Sequence, residues 1–172
     1  MENEREHSKF IIQRFDSYIS AANTKGNFLL AFNTFLCGSV IANYKTLSGL
    51  IEDVSALKFL SICLFALFII GLVTTGLIMK AVYPFLSSGN STKEKYHSLI
   101  FFNSIAQYES DRDFMAAFQQ QSNEGVNEDM AKQSFYLAKA LKLKYKVLAW
   151  AMRLVFAELI LLFITLLLIS IY

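Results

Sequence analysis

Apolar residues are concentrated in three blocks of the chain, and polar and charged residues fill the segments between them. The blocks cover residues 27–45, 57–80 and 148–171. A helix of about 20 apolar residues crosses the hydrocarbon core of a bilayer, whereas a soluble domain mixes apolar and polar positions at the period of a helix or strand. The pattern therefore predicts an all-α integral membrane protein with three transmembrane helices, folded as a single domain over residues 1–172.

The N-terminal polar segment has the pattern of an amphipathic helix. Within residues 4–22, Ile11, Phe15, Tyr18 and Ala22 recur at helical spacing and form one apolar stripe. Because the charged residues of this segment lie off the stripe, we expect a cytoplasmic helix that packs its apolar face against neighbouring helices.

The polar segment between the second and third blocks, residues 84–147, predicts a helical hairpin. Its first helix is expected over residues 96–121, and Gly125 marks the loop that follows. Asn127 is suited to cap the second helix, because its side chain accepts a hydrogen bond from a free backbone N–H. Neither glycine nor proline occurs after Met130, so this helix is predicted to continue without a break into the third span.

Three polar side chains in the apolar blocks are candidates for an intramembrane or gating role. Asn33, near the middle of the first block, needs a hydrogen-bond partner in lipid, so it either joins helices or lines a pore. Glu158 lies roughly 15 Å into the third block at the helical rise, where a carboxylate costs on the order of 2.5–3.5 kcal/mol on insertion scales. It is either protonated or paired with another helix, or it has a functional role. Arg153 lies one turn inside the same block and reaches back to the surface.

Basic residues near the ends of the spans predict the orientation in the membrane. They flank the segment between the second and third blocks: Lys80, Lys93, Lys95, Lys139, Lys142, Lys144, Lys146 and Arg153. The loop after the first block is short and carries Glu52 and Asp53, and no charged side chain follows Glu158. We therefore expect a cytoplasmic N-terminus, a cytoplasmic helical region and a C-terminus at the outer face.

Composition excludes two classes of protein. The net charge of +2 is close to balance, so no basic excess indicates a nucleic-acid partner. The first ten residues mix acidic and basic side chains and do not lead from a basic region into an apolar one, so they do not form a cleaved signal peptide. Both observations favour an uncleaved, multi-pass membrane protein.

No catalytic or metal-ligating motif is present in the sequence. Cys37 and Cys63 lie inside apolar blocks without a partner at metal-ligand spacing, and His7 and His97 fall on different predicted elements. No GxGxxG, P-loop, HExxH or CxxC motif occurs. The charged residues 109–113 are interpreted as a solvated helical face, with a cation site as the alternative. We predict that the protein is not an enzyme and has no metal and no cofactor.

A basic run precedes the third block. Lys139, Lys142 and Lys146 lie on or near one face of the predicted helix. Such a face either meets anionic lipid headgroups, at about 1 kcal/mol per charge, or binds a phosphate-bearing ligand.

The order of these segments resembles that of a known family. The segments that carry the resemblance are SYISAANTKGNFLLAFNTFL at the first span, then SLIFFNSIA, and then NEDMAKQSFYLAKALKLKYKVL before the last span. Over about residues 10–170 the chain is similar to the Pycsar transmembrane effector family. The family's Asp-x-Lys-Ala stretch corresponds to residues 23–26, where Asn23 replaces the acid and Lys25 is retained. Further matches are Ser98 with Phe102, and Lys144 with Tyr145.

The resemblance implies a bacterial antiphage effector of the inner membrane. In such systems a neighbouring pyrimidine cyclase makes cyclic CMP or cyclic UMP during infection. The messenger activates the membrane effector, which impairs the membrane and causes abortive infection. The expected partners are membrane lipids, the cyclase through its product, and further copies of the chain in a homo-oligomer.

The contacts to the messenger are predicted from charge and aromatic character: Lys25, Lys139, Lys142, Lys144 and Tyr145. Two other functions stay open at this point. In a constitutive small channel or transporter subunit, Asn33 and Glu158 would line the path. A membrane scaffold protein would instead hold a partner in a fixed stoichiometry.

Overall fold

The computed structural model describes residues 2–84 and 97–172, and these residues form six helices. The helices are α1 (Glu2–Ala42), α2 (Tyr44–Ser48), α3 (Val54–Val82), α4 (Phe102–Ile105), α5 (Asp111–Gln120) and α6 (Asn123–Ile171). No strand occurs within the described ranges. The prediction of an all-α protein is confirmed.

Two of the described helices, α3 and α6, are long and apolar enough to cross a membrane. They contain 29 and 49 residues, and they include the second and third predicted spans, respectively. Helix α1 also has sufficient length, but amides such as Asn27 and Asn33 reduce the hydropathy of its apolar part. The first span, over residues 27–45, therefore stays a prediction.

Helix α1 joins the predicted amphipathic helix and the first apolar block into one helix of 41 residues. Gly26 lies at the junction, where a glycine inside a helix costs about 1 kcal/mol relative to alanine. A Cβ at this position would lie 2.5 Å from Cγ2 of Val82 and in contact with Ile78. The glycine therefore allows α1 to approach the C-terminal end of α3 closely.

Helix α3 begins and ends at side chains that the sequence provides for that purpose. Asp53 accepts a hydrogen bond from the backbone N–H of Ala56 (2.7 Å) and caps the N-terminus. The helix ends at Val82, two residues before Pro84, since the residue before a proline is excluded from helical conformation.

The expected single helix over residues 96–121 is wrong. The described part contains the four-residue α4 and the ten-residue α5, separated by a turn. Ser98 Oγ accepts hydrogen bonds from the N–H groups of Ile100 and Phe101, and Ser110 Oγ accepts one from Asp113. Serine side chains that bond nearby backbone compete with helix formation and start new helices instead. Residues 85–96, which include Lys93, Lys95 and Tyr96, lie outside the described residues.

The predicted continuity into the third apolar block is seen, because α6 is one helix from Asn123 to Ile171. Its start differs from the prediction, since Gly125 and Asn127 lie inside the helix and neither a loop nor a cap occurs there. Ser122 Oγ accepts a hydrogen bond from the Gly125 N–H (3.1 Å), so the capping side chain lies five residues before Asn127, the predicted cap.

The chain divides into two compact units, to which α1 and α6 both contribute. Unit I comprises Met1–Ala21 and Pro84–Leu143, and unit II comprises Ala22–Tyr83 and Lys144–Tyr172. In unit I, the carboxylate of Asp129 is buried and accepts a hydrogen bond from the Leu99 N–H (2.8 Å). The apolar core of unit II is formed by Leu36, Val40, Ile51, Ala56, Leu60, Leu64 and Leu67.

Candidate functional site

Unit II contains a group of buried polar side chains among its apolar helices. We call it the polar cluster, and it consists of Asn33 and Cys37 on α1, Gly71, Thr74 and Thr75 on α3, and Glu158 on α6. Asn33, Thr74 and Glu158 have no solvent-exposed surface. Two of the three candidates for an intramembrane role, Asn33 and Glu158, are thus placed in the same cluster.

Asn33 connects α1 to α3 with both hydrogens of its amide. Its Nδ2 donates to the backbone carbonyl of Gly71 and to the hydroxyl oxygen of Thr75, each at 2.8 Å. The Cys37 thiol lies 4.0 Å from Asn33 Oδ1 and donates a weak hydrogen bond to it. Asn33 is therefore the interhelical connection that was one of its two predicted roles.

Gly71 is the point of closest approach between α1 and α3 in the cluster. A Cβ added at Gly71 would collide with Cys37 Sγ, whereas one added at Gly76 would meet nothing within 4 Å. Small residues permit helices to approach closely and to form short hydrogen bonds between them. The absence of a side chain at Gly71 thus leaves its carbonyl within reach of the Asn33 amide.

Glu158 connects α6 to α3. Its Oε1 lies 2.5 Å from Oγ1 of Thr74. The Thr74 hydroxyl donates a hydrogen bond to the carbonyl of Ile70 in its own helix. Its Oε2 is buried and has no hydrogen-bond partner. The carboxyl group therefore joins the third predicted span to the second and retains one unused oxygen.

The cluster predicts a measurable contribution of Asn33 to stability. We expect Asn33→Ala to lower the free energy of unfolding in bilayer-like detergent by about 1 kcal/mol, since interhelical hydrogen bonds in membranes contribute about 0.6 kcal/mol on average and up to about 1.7. Asn43→Ala is the matched control, because Asn43 is exposed just after the end of α1 and its amide donates to the Ser39 carbonyl one turn earlier, not to another helix. Equal losses in the two variants, measured by denaturant titration, would contradict the assignment.

Lys144 is a buried polar residue of unit II outside the polar cluster, and its ammonium binds carbonyls at the C-terminal end of α3. Its Nζ donates to the carbonyls of Ala81 (2.6 Å) and Tyr83 (3.3 Å) and to Asn23 Oδ1 (2.9 Å). A cation at this end of a helix meets carbonyls without intrahelical partners and the negative end of the helix dipole. Burial lowers the pKa of the ammonium, because desolvation penalises its charged form.

The contact between Lys144 and Asn23 joins two of the motifs that carried the family resemblance. The amide oxygen of Asn23, which the resemblance aligned with an acid, is the acceptor of this contact. Sequence reasoning missed Asn23, Thr74 and Gly71 as site residues. A signal was available, because Gly71 and Thr74 are small or polar residues inside the second apolar block and Asn23 stands in a stretch that carried the resemblance.

The other predicted contact residues lie on the surface. Lys25, Lys142 and Tyr145 are exposed, and Lys139 lies over the ring of Phe135, 4.4 Å from its centroid. The guanidinium of Arg153 lies 4.8 Å from the Trp150 ring centroid.

Arg153 is therefore stacked and exposed on the outside of α6, away from the polar cluster. Lys144 differs from the other predicted ligand contacts, because its side chain is buried.

Unit I has a polar cleft of about 370 Å³. It is lined by His97, Ser104, Gln107, Tyr108, Glu109 and Asp113. Its volume suits a small ligand, but the two carboxylates would repel an anionic phosphate. Within the described ranges, no group of three or more His, Cys, Asp or Glu side chains is arranged to hold a metal ion.

Comparison with known proteins gave one match. Residues 7–171 match the family model described as the Pycsar effector protein domain, which is nearly the whole chain. No significant match was found among curated proteins or among solved structures.

Proposed function

Because this chain belongs to the Pycsar effector family and is thus an effector of antiphage defence, we propose that a cyclic pyrimidine mononucleotide activates it to impair the inner membrane. The messenger, cyclic CMP or cyclic UMP, would come from a partner pyrimidine cyclase. The observation that carries the proposal is the family match over residues 7–171, combined with two apolar helices joined by buried polar contacts.

The polar cluster supports a mechanism in which a small number of specific interhelical hydrogen bonds keep the resting state closed. Asn33 joins α1 to α3, and Glu158 joins α6 to α3. Such bonds keep a bundle tight while the helices are packed, and they expose polar groups when the helices separate. A messenger shifts this equilibrium only by binding the separated state more tightly than the closed one.

The exposed lysines of α6 support the recognition of an anionic messenger. Lys139 and Lys142 lie in unit I at the end of its part of α6, and neither is buried. Their ammonium groups would bind the cyclic phosphate, while anionic lipid headgroups would compete for them. Binding would bias α6, which is continuous from Asn123 to Ile171 and carries Glu158.

The arrangement in the membrane is part of the proposal. Residues 27–45 would form the first of three spans, with the N-terminus and residues 84–147 in the cytoplasm and the C-terminus at the periplasmic face. The damage would be done by a homo-oligomer, since three helices alone do not enclose an aqueous path.

The proposal is tested in cells that express the full chain together with a membrane-potential dye. We expect cyclic CMP or cyclic UMP to collapse the potential, and cyclic AMP to have no effect. The double variant Lys139→Gln, Lys142→Gln is expected to raise the messenger concentration for half-maximal collapse about tenfold or more, because two charge-assisted hydrogen bonds are lost. Lys132→Gln is the control. Lys132 is an exposed lysine of the same helix, but it is paired with Glu128.

Three outcomes would contradict the proposal. If neither cyclic CMP nor cyclic UMP changes the membrane potential more than cyclic AMP does, activation by this messenger class is excluded. A steady solute flux without messenger, lost on Glu158→Ala, would instead favour a constitutive channel or transporter subunit. If the protein is not toxic at any messenger concentration and co-purifies with a stoichiometric partner, a scaffold is favoured.

A further inference from the structure

The hydroxyl of Thr74 has one hydrogen and two close oxygen neighbours. Its Oγ1 lies 2.9 Å from the carbonyl of Ile70 and 2.5 Å from Glu158 Oε1. A carbonyl oxygen can only accept, so the bond to Ile70 requires the threonine hydrogen. The short contact to Glu158 then has no hydrogen from Thr74, and one must come from the carboxyl group.

An ionised Glu158 would also lack a counter-charge. Within the described part of unit II, no lysine, arginine or histidine contacts the carboxyl group, and Arg153, the nearest basic residue along α6, is exposed and stacked on Trp150. The titratable neighbour on α1 is the Cys37 thiol, and the hydrogen-bond partner on α3 is the neutral hydroxyl of Thr74. A charge placed among these groups has neither water nor a cation to stabilise it.

The un-ionised acid satisfies the same geometry. Its O–H donates to Thr74 Oγ1, and the threonine hydroxyl then donates to the Ile70 carbonyl, so that each hydrogen has one acceptor. The second carboxyl oxygen, which has no partner, carries no full charge in this state. Both hydroxyl hydrogens of this pair are used, and the Glu158 carboxyl group carries no charge in its buried position.

We propose that Glu158 is a proton-binding site within the membrane-embedded part of unit II, occupied in the closed state and emptied when the helices separate. Separation admits water, so the carboxyl group gives its proton to water and becomes a solvated carboxylate. A bound metal cation is a poorer occupant, because the Asn33 amide and the Thr74 hydroxyl direct hydrogens, not free oxygens, into their contacts with α3. The role in activation rests on the proposed function, whereas the occupancy of the site does not.

Occupancy is tested by infrared spectroscopy of the purified full-length protein in lipid at neutral pH. The C=O stretch of an un-ionised carboxylic acid is expected in the wild type and in Glu52→Gln, an exposed control, and is expected to disappear in Glu158→Gln. The Gln side chain keeps a donor for Thr74, so this variant is expected to fold. A wild-type spectrum without this band, a band unaffected by Glu158→Gln, or a sodium-dependent thermal stabilisation lost in Glu158→Gln would overturn the proposal.

Release on activation is tested by dye leakage from vesicles that contain the same proteins and the messenger. Because opening releases one proton, the messenger concentration for half-maximal leakage is expected to fall by up to about tenfold per unit rise in pH for the wild type, and not for Glu158→Gln. Equal pH dependence in both proteins would overturn the release step. If the infrared band is present but no messenger causes leakage, the proposed function fails and the proton site stands. If the messenger causes leakage but the infrared band is absent, the proton site fails and the proposed function stands.

Discussion

Replacing Lys144 by methionine is expected to lower the free energy of unfolding by about 3 kcal/mol. Methionine retains the apolar stem but removes the donor of three hydrogen bonds, to Ala81, Tyr83 and Asn23. The contact to the Ala81 carbonyl is buried and the other two are part-buried. A buried acceptor left without a partner costs about 1–3 kcal/mol, and a part-buried one costs less because water reaches it. Denaturant titration in bilayer-like detergent measures the change.

Lys142→Met is the matched control, because Lys142 lies two residues away on α6 and is exposed. Its effect on stability is expected to stay within about 0.5 kcal/mol, as is usual for surface substitutions. If the two variants lost the same stability, Lys144 would not be the group that holds the end of α3.

The pH dependence of stability gives Lys144 a second readout. Its pKa in the folded state lies below the ordinary value of 10.5, so between these two pKa values the unfolded chain binds more protons than the folded one. The free energy of unfolding therefore rises with pH across that window, as the desolvation penalty on the ammonium disappears. Lys144→Met is expected to remove this rise, and Lys142→Met is expected to retain it.

Gly71→Val is expected to destabilise unit II by about 3 kcal/mol, the upper part of the range for overpacking a well-packed interior. The first carbon of the new side chain would already collide with Cys37 Sγ, and the β-branch adds two further methyl groups. Separation of α1 from α3 would also lengthen the bonds from Asn33 to Gly71 and Thr75. We expect a lower midpoint of unfolding, together with leakage at lower messenger concentration or without messenger.

Gly76→Val is the control, because Gly76 lies on the same helix and a side chain there would meet open space. A loss at Gly76 as large as that at Gly71 would show that valine acts through helix propensity alone. Cys37→Ala provides a further check, since it removes the atom that the new side chain meets. Combined with Gly71→Ala, it is expected to restore stability beyond the sum of the single effects.

Recognition of the family depended on the order of segments along the chain. The predicted contact residues contributed less to it than this order did. Of these residues, Lys144 has its hydrogen-bond partners inside unit II and Lys139 lies over Phe135. The predicted contacts with the messenger, the three spans and the orientation stay predictions. The experiment with the lysine variants and the membrane-potential dye addresses the contacts with the messenger directly.

The sequence by itself determined the all-helical class, the end of α3 before Pro84 and the unbroken course of α6, because hydrophobic length and the chemistry of proline act locally. It did not predict the turn between α4 and α5, where Ser110 begins a new helix. Only the tertiary structure decided which polar residues meet. The pairs Asn33–Thr75, Thr74–Glu158 and Asn23–Lys144 are separated by 42, 84 and 121 residues. A helical pattern tells which residues share a face, but the packing of the helices selects the face that each partner presents and the depth at which the partners meet.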